Sequence, residues 1–314
     1  MMKRSLCIAA LTALLGPLLL AVNSEALFKK LGTTGFNFVK IGHAARPVAM
    51  GDAFAAVSDD INSIFWNPAG LTHVERVAYT FSYNQWLAES KLYSGALAYR
   101  TGAATFGVSF VSFQPKEFEE TTIFQPKGTG KMVDANDMAI GLAYAYQFTD
   151  RLSFGVHFRY LQESLFDKTN ETFDIDVGTL FYTGFRSARL AMSLRNFGKD
   201  NTVIAESAFM PIVYTIAGAM EVYGKKGDPA YLTLAAENVF AIDYEGRLHF
   251  GAELWLVNML ALRGGYKWNY DAEDFSGGVG VKREYNGKSF SADFSYTHSE
   301  YFDAPLRFTV SGAF

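Results

Sequence analysis

Leu306-Arg307-Phe308-Thr309-Val310-Ser311-Gly312-Ala313-Phe314 closes the chain with an unbroken two-residue alternation. Successive side chains of a strand point to opposite faces. Leu306, Phe308, Val310, Gly312 and Phe314 therefore share one face, and Arg307, Thr309, Ser311 and Ala313 share the other. The first face is apolar and ends on an aromatic; the second is polar or small. Such a strand can close a soluble sandwich with its apolar face inward, or stand in a membrane barrel with that face toward lipid.

Upstream, the same alternation recurs in short runs separated by Gly, Asn, Asp and Pro. Fourteen strands are expected, over residues 76–86, 92–100, 103–113, 137–148, 152–164, 172–183, 188–197, 211–223, 231–240, 246–257, 259–270, 274–285, 288–299 and 306–314. Their connections take turns. Those at 101–102, 149–150, 183–187, 224–229, 258 and 286–287 are tight, and those at 87–91, 114–136, 165–171, 198–210, 241–245, 271–273 and 300–305 are longer. An even strand number with short turns at one rim and longer loops at the other is the pattern of an outer-membrane barrel. Asn286-Gly287 is in addition a strong hairpin signal, because both central residues of its turn need positive φ.

The faces agree with a membrane barrel. Leu248, Phe250, Ala252, Leu254 and Leu256 oppose Arg247, His249, Gly251, Glu253 and Trp255, and Leu260, Leu262, Tyr266, Trp268 and Tyr270 oppose Ala261, Arg263, Gly265, Lys267 and Asn269. The charged faces would line a lumen, which makes Arg159, Arg195, Glu237, Arg247, Glu253, Arg263, Lys267, Lys282 and Asp293 candidate lumen residues. Their mixed signs suggest pairing rather than an ion-selective funnel. Tyr99, Phe148, Tyr223, Phe240, Tyr270 and Phe314 sit near strand ends, where aromatics form interfacial girdles. Phe308, Val310 and Phe314 resemble the terminal insertion signal read by the barrel assembly machinery.

The opposite end supports export. Residues 1–26 read as a signal peptide: Lys3 and Arg4, an apolar stretch from Leu6 to Val22, and the small-x-small site Ser24-Glu25-Ala26. Thr12, Gly16 and Pro17 interrupt the stretch, which is short of the ~20 residues of a helical span. Cys7, the single cysteine, would leave with it, so disulfide and thiolate chemistry are not expected. Without Lys3, Arg4 and Glu25 the chain keeps 26 basic and 31 acidic residues. That balance carries no basic footprint for nucleic acid. The expected organisation is a signal peptide at 1–26, an amino-terminal plug segment at 27–75 and a barrel at 76–314 in the outer membrane.

Residues 27–75 do not alternate over barrel length and are too small and polar to fold alone. They are expected to pack within the lumen, with Arg46, Asp52, Asp59 and Asp60 meeting wall charges. The run Ile41-Gly42-His43-Ala44-Ala45-Arg46-Pro47-Val48-Ala49-Met50-Gly51-Asp52-Ala53-Phe54, then Asp59-Asp60, then Trp66-Asn67-Pro68-Ala69-Gly70-Leu71, resembles the start of the PorV/PorQ family, within the wider FadL-like group of fourteen-stranded barrels. The residues carrying that likeness are Gly42, Ala45, Arg46, Met50, Gly51, Asp59, Asp60, Trp66, Asn67, Pro68 and Gly70. The resemblance implies a plugged barrel. PorV-type members serve type IX secretion by shuttling exported proteins at the cell surface, whereas FadL-type members admit hydrophobic molecules through an opening in the wall. Taken physically, Pro68 holds Asn67 away from helix and Gly70 permits a turn, so an architectural role for this motif outweighs ligand contact; Trp66 is expected to wedge against the inner wall.

Other chemistry is weaker. His43, His73, His157, His249 and His298 show no metal-ligand spacing, and neither metal nor cofactor is expected. Gly277-Gly278-Val279-Gly280 lies within a strand and reads as close packing or a bend; Gly264-Gly265 and Gly277-Gly278 are candidate kinks for a wall opening. Ser109 follows Gly107 without completing a nucleophile motif, so no enzyme is expected. The loop 114–136, with Pro115, Phe118, Ile123, Phe124 and Pro126, is long enough to cap the outer mouth or meet a partner. Expected partners are outer-membrane lipid, the barrel assembly machinery, and either secretion components and exported proteins or hydrophobic ligands.

Overall fold

The computed structural model describes residues 32–314 except residues 134, 167, 204 and 205. The expected signal peptide and residues 27–31 of the expected plug lie outside the described residues. Fourteen strands form a closed antiparallel barrel. They are β1 (Val77–Gln85), β2 (Lys91–Thr101), β3 (Ala104–Gln114), β4 (Ala135–Thr149), β5 (Leu152–Leu165), β6 (Lys168–Tyr182), β7 (Arg189–Gly198), β8 (Val213–Tyr223), β9 (Ala230–Ala241), β10 (Arg247–Leu256), β11 (Leu260–Trp268), β12 (Glu273–Tyr285), β13 (Lys288–Ser299) and β14 (Leu306–Ala313). Each pairs with its neighbours in sequence, and β14 returns to β1 with Ala313 opposite Ala78 and Leu306 opposite Gln85. Val77 and Phe314 complete the seam with reciprocal backbone bonds of 2.7 and 2.8 Å.

Burial decides which face is inside. Arg307 and Thr309 are each 1% exposed, while Phe308 and Val310 on the other face are 51% and 54% exposed. A soluble sandwich would reverse that order. Around the ring Phe81, Phe106, Leu142, Phe158, Met192, Val279 and Phe290 likewise face outward. Exposed apolar side chains at this density are costly in water and suited to lipid. No helix among the described residues is long and apolar enough to cross a membrane.

Both barrel ends of the chain and the turns 102–103, 150–151, 183–188, 224–229, 257–259 and 286–287 share one rim. Asn286 and Gly287 adopt φ of 51° and 72°, as their turn requires. Longer connections gather at the other rim, with one exception. The loop expected over 165–171 is shorter, because Lys168 already opens β6 and Thr169, Asn170 and Glu171 continue the ladder opposite Ser164, Glu163 and Gln162. Their polarity hides that extension from an alternation reading. At the candidate kinks β11 and β12 pair without a shift from Leu260–Val281 to Tyr266–Phe275, through both Gly264 and Gly277, while β12 is irregular against β13 between Glu273 and Ser276. Tyr270 leaves the expected girdle, since β11 ends at Trp268 and Asn269 turns with φ 67°, carrying the Tyr270 hydroxyl to 2.8 Å from His249 Nε2.

Ahead of β1 lie a 3-10 turn at Asn37–Lys40, the short helix α1 (Ala45–Ala49), and 3-10 turns at Ile61–Phe65 and Pro68–His73. α1 packs on β11 to β14, the Ile61–Phe65 turn on β1 and β2, and the Pro68–His73 turn on β3 to β6. The segment thus touches opposite sides of the ring. Its Phe36, Val48, Met50, Phe54, Ile64 and Leu71 are buried.

Candidate functional site

The amino-terminal segment is seated where the wall lacks side chains. Gly51 turns with φ 64°, and a Cβ there would lie 2.9 Å from the Tyr266 nitrogen and 3.0 Å from the Phe250 oxygen. On the wall side, a Cβ at Gly265 would strike Gly51 and Met50, and one at Gly251 would come within 2.6 Å of the Met50 oxygen. Gly278 makes the same allowance for Ala49, whose Cβ would be 2.6 Å away. The Gly51 nitrogen donates to Ser276 Oγ at 3.0 Å. Backbone therefore lies against backbone, which is what glycine in a strand permits. It also explains one glycine of each candidate kink pair, Gly265 and Gly278.

Across the barrel, Asn67-Pro68-Ala69 rests on Gly155 and Gly178, which pair with each other between β5 and β6. Asn67 Nδ2 donates to the carbonyls of Ala55 at 2.9 Å and Thr179 at 3.0 Å, and its Oδ1 accepts from the Ala69 nitrogen at 3.2 Å. One buried amide thus ties the segment to itself and to the wall. Gly70 packs against Ser58, where a Cβ would meet backbone and side chain. Trp66 stands edge-on to Phe54 and His43, with ring centres 5.9 and 6.2 Å away, and borders the cavity toward the long-loop rim.

A chain of charges joins these seats. Arg46 forks onto Glu253 at 2.8 and 2.7 Å and places Nη1 2.7 Å from both Asp59 and Asp60. Glu253 also accepts from Arg263 at 2.7 Å, and Arg263 reaches Asp293 at 2.6 Å. Asp59 continues to Lys226 in the 224–229 turn. Asp52 pairs with Lys267 at 2.7 Å, and Glu237 accepts from the Ala55 nitrogen. Burial raises the Asp59 carboxyl, but Arg46 and Lys226 outweigh it and hold the group well below the carboxylate range. Burial likewise opposes Asp52, which Lys267 brings down to about 2. Gly42 supplies its carbonyl to Arg307 at 3.2 Å, and the Ala45 nitrogen donates to Thr309 at 2.8 Å.

On the other flank Arg159 binds Asp174 through Nε at 2.9 Å, and Asp176 and Asn196 through Nη2 at 3.0 and 2.7 Å. Asn196 occupies a bulge between β6 and β7 at φ 60°. Arg195 donates to the Phe65 carbonyl at 3.2 Å. Arg189, which a sequence reading passes over because it opens its strand, is 1% exposed and holds both Glu221 and the Ala56 carbonyl. Among the described residues Lys282 pairs with Glu284 alone, half-exposed near the short-turn rim.

Ser109 Oγ lies 2.8 Å from His157 Nε2, and His157 Nδ1 lies 3.3 Å from Asp176. The connectivity is that of an acyl-transfer triad. His157 is nevertheless fully buried, edge-on to Phe65 at 6.5 Å, and Asp176 serves Arg159 at the same time. The three residues come from β3, β5 and β6, so no local motif announces them.

Two polar cavities flank the segment. One of about 560 Å³ opens at the short-turn rim beside Arg46, Asp59, Lys226 and Lys282. The other, of about 460 Å³, lies toward the long-loop rim beside Lys40, Arg195, Arg247 and Lys267. An apolar recess of about 480 Å³ lies on the outer wall instead, bounded by Met220, Leu234, Phe250, Tyr266 and Phe275. Beyond the long-loop rim a small hairpin, Phe118–Glu119 with Met132–Val133, carries Ile123 and Phe124, each 94% exposed. Those two side chains cap nothing.

The fold is similar to the toluene transporter TbuX of Ralstonia pickettii, at 14% identity and TM-score 0.61 over 87% of this chain and 98% of that one. It is also similar to the monoaromatic hydrocarbon channel CymD, at 12% identity and TM-score 0.62 over 89% and 99%. The Pseudomonas putida toluene transporter TodX gives 11% identity and TM-score 0.58 over 87% and 98%. At such identities the likeness is one of fold. No curated protein matches at a significant level. Residues 24–185, more than half of the chain, match the family described as type IX secretion system protein PorV. The protein is an outer-membrane β-barrel and belongs to the PorV family.

Proposed function

We propose that the protein works in type IX secretion as a closed barrel that handles exported proteins at the cell surface, with residues 27–75 as a plug and residues 1–26 as a cleaved leader. The observation that carries this reading is the double seating of the segment on glycine-lined wall, locked by the Arg46–Glu253–Arg263–Asp293 chain. A conduit for hydrophobic molecules needs an apolar path from the mouth to a gap in the wall. Both lumenal cavities are rich in charge instead, and beneath the centre of the outer recess β11 and β12 pair without a shift. In outer-membrane barrels the short turns face the periplasm and the longer loops face outward. Ile123 and Phe124 then stand on the outer side, where exposed apolar side chains serve a partner better than they serve the barrel.

The buried Ser109–His157–Asp176 contact belongs to the same framework and has no hydrolytic role in this reading. The alternative, passive uptake of hydrophobic molecules, draws on the outer-wall recess alone. A paired assay separates the two. The reading expects retention on an immobilised carboxy-terminal domain of an exported protein, lost when residues 118–133 are replaced by a Gly/Ser linker. It also expects proteoliposomes to admit toluene no faster than protein-free vesicles. Toluene entry above that background, together with no retention, would overturn it.

A further inference from the structure

The cavity toward the long-loop rim holds more positive charge than its own carboxylates neutralise. Lys40 pairs with Asp243 at 2.7 Å, and Lys267 is shared between Asp52 at 2.7 Å and Glu273 at 3.1 Å. Arg195, Arg247 and Arg307 line the same cavity. Among the described residues none of these three guanidinium groups has a carboxylate oxygen within 4.0 Å. Asp271, the remaining acid on the wall, is exposed at the rim.

Aromatic rings fix two of the three. The Arg247 guanidinium lies 3.6 Å from the Tyr244 ring centre and 4.0 Å from that of Tyr270, and Arg307 lies 4.9 Å from Trp86. Arg307 spends donors on the Gly42 carbonyl at 3.2 Å and on Thr297 at 3.0 Å. Arg195 Nε, His43 Nε2 and His249 Nδ1 on the same wall are buried without a hydrogen-bond partner. Arg195 and Arg247 are half-buried on the cavity wall, and the buried Arg195 Nε has no partner within the described residues, so an acceptor from outside the chain would satisfy it. A planar guanidinium held on an aromatic face presents its edge to a carboxylate with little ordering left to do.

We infer that this cavity binds a carboxylate-bearing ligand, its anionic group held by Arg195 and Arg247 and its body against Trp86, Tyr244 and Tyr270. Its volume of about 460 Å³ suits one or two residues of a peptide end or a small organic acid. The inference does not rest on the secretion reading. Aromatic surface beside the arginines favours an apolar side chain next to the carboxylate.

Binding is tested on the full-length barrel in detergent, by calorimetry and by Trp86 fluorescence. The probes are an N-acetylated tripeptide ending in Phe with a free carboxylate, the same peptide as its amide, and benzoate. The acid is expected to bind at least tenfold more tightly than the amide, and Arg247→Gln to remove about that factor for the acid alone. Arg247→Lys keeps the charge but loses the fork, and is expected to recover only part of the affinity. Benzoate as tight as the peptide acid identifies small organic acids as the source; weaker benzoate identifies a chain end. Heat-modifiable migration reports that each variant is folded. Equal affinity for acid and amide, or no binding of either at millimolar concentration by folded protein, would overturn the inference.

Discussion

At the scale of the residue, Arg46 is the most constrained side chain of the segment. It satisfies Glu253, Asp59 and Asp60 together, and Glu253 is 1% exposed. Arg46→Ala leaves buried carboxylates short of a partner, at a cost of about 3–5 kcal/mol. We expect a lower thermal midpoint and faster proteolysis of residues 32–74 in detergent; unchanged protection would refute the role. Two histidines set a pH dependence. Burial, then the charges of Arg159 and Arg195, bring His43 down from 6.5 to about 3, and burial brings His73 down to about 4. The unfolded chain takes up these protons between pH 6.5 and those lower values while the folded chain does not. The stability these two histidines contribute is therefore full above pH 6.5 and falls as pH drops toward 4. Asp52 and Asp59, both held low, contribute their loss only below about pH 4, outside this window. From pH 7 to pH 5 the loss is on the order of 2 kcal/mol per histidine, and chemical denaturation of His43→Gln should show a flatter profile than the parent.

At the scale of the element, small residues decide where the segment sits. The pairing of Arg46, Asp52 and Asp59 with wall charges was legible from charge pattern alone, because buried charges need partners. The seats were not. Gly264-Gly265 looks the same in sequence whether a strand bends or another backbone lies against it, and only the position of Gly51 tells them apart. Tyr270 escaped for a similar reason: one left-handed residue, Asn269, turns an outward position inward. Gly265→Ala introduces a methyl group where Gly51 and Met50 already lie, and both sides are backbone, so neither can yield cheaply. A loss of about 2–3 kcal/mol is expected. Gly264→Ala, whose Cβ would meet nothing within 4 Å, should be neutral in the same unfolding measurement. Equal effects of the two substitutions would refute the seating.

At the scale of the whole molecule, fourteen strands, their alternation and the short and long rims were readable because each follows from a period of two and from turn chemistry. The placing of the segment is different in kind, since it depends on two distant glycine-lined patches that the segment bridges. That bridging predicts a non-additive response. With the tie on either flank intact the segment is still held across the ring; with the Arg46 and Asn67 ties both removed it loses an anchor on each flank. Arg46→Ala and Asn67→Ala, on opposite flanks, should each leave proteoliposomes about as tight to small hydrophilic solutes as the parent. The double variant should leak, because Asn67 Nδ2 and the Arg46 fork tie the segment to β6 and β10 on opposite flanks. Liposome swelling with arabinose reads this directly, and heat-modifiable migration confirms that the barrel is still closed. Leakage through the parent protein would mean that the segment does not seal the lumen. A tight, folded double variant would mean that the packing of Phe54, Ile64 and Leu71 and the remaining polar ties suffice to hold it.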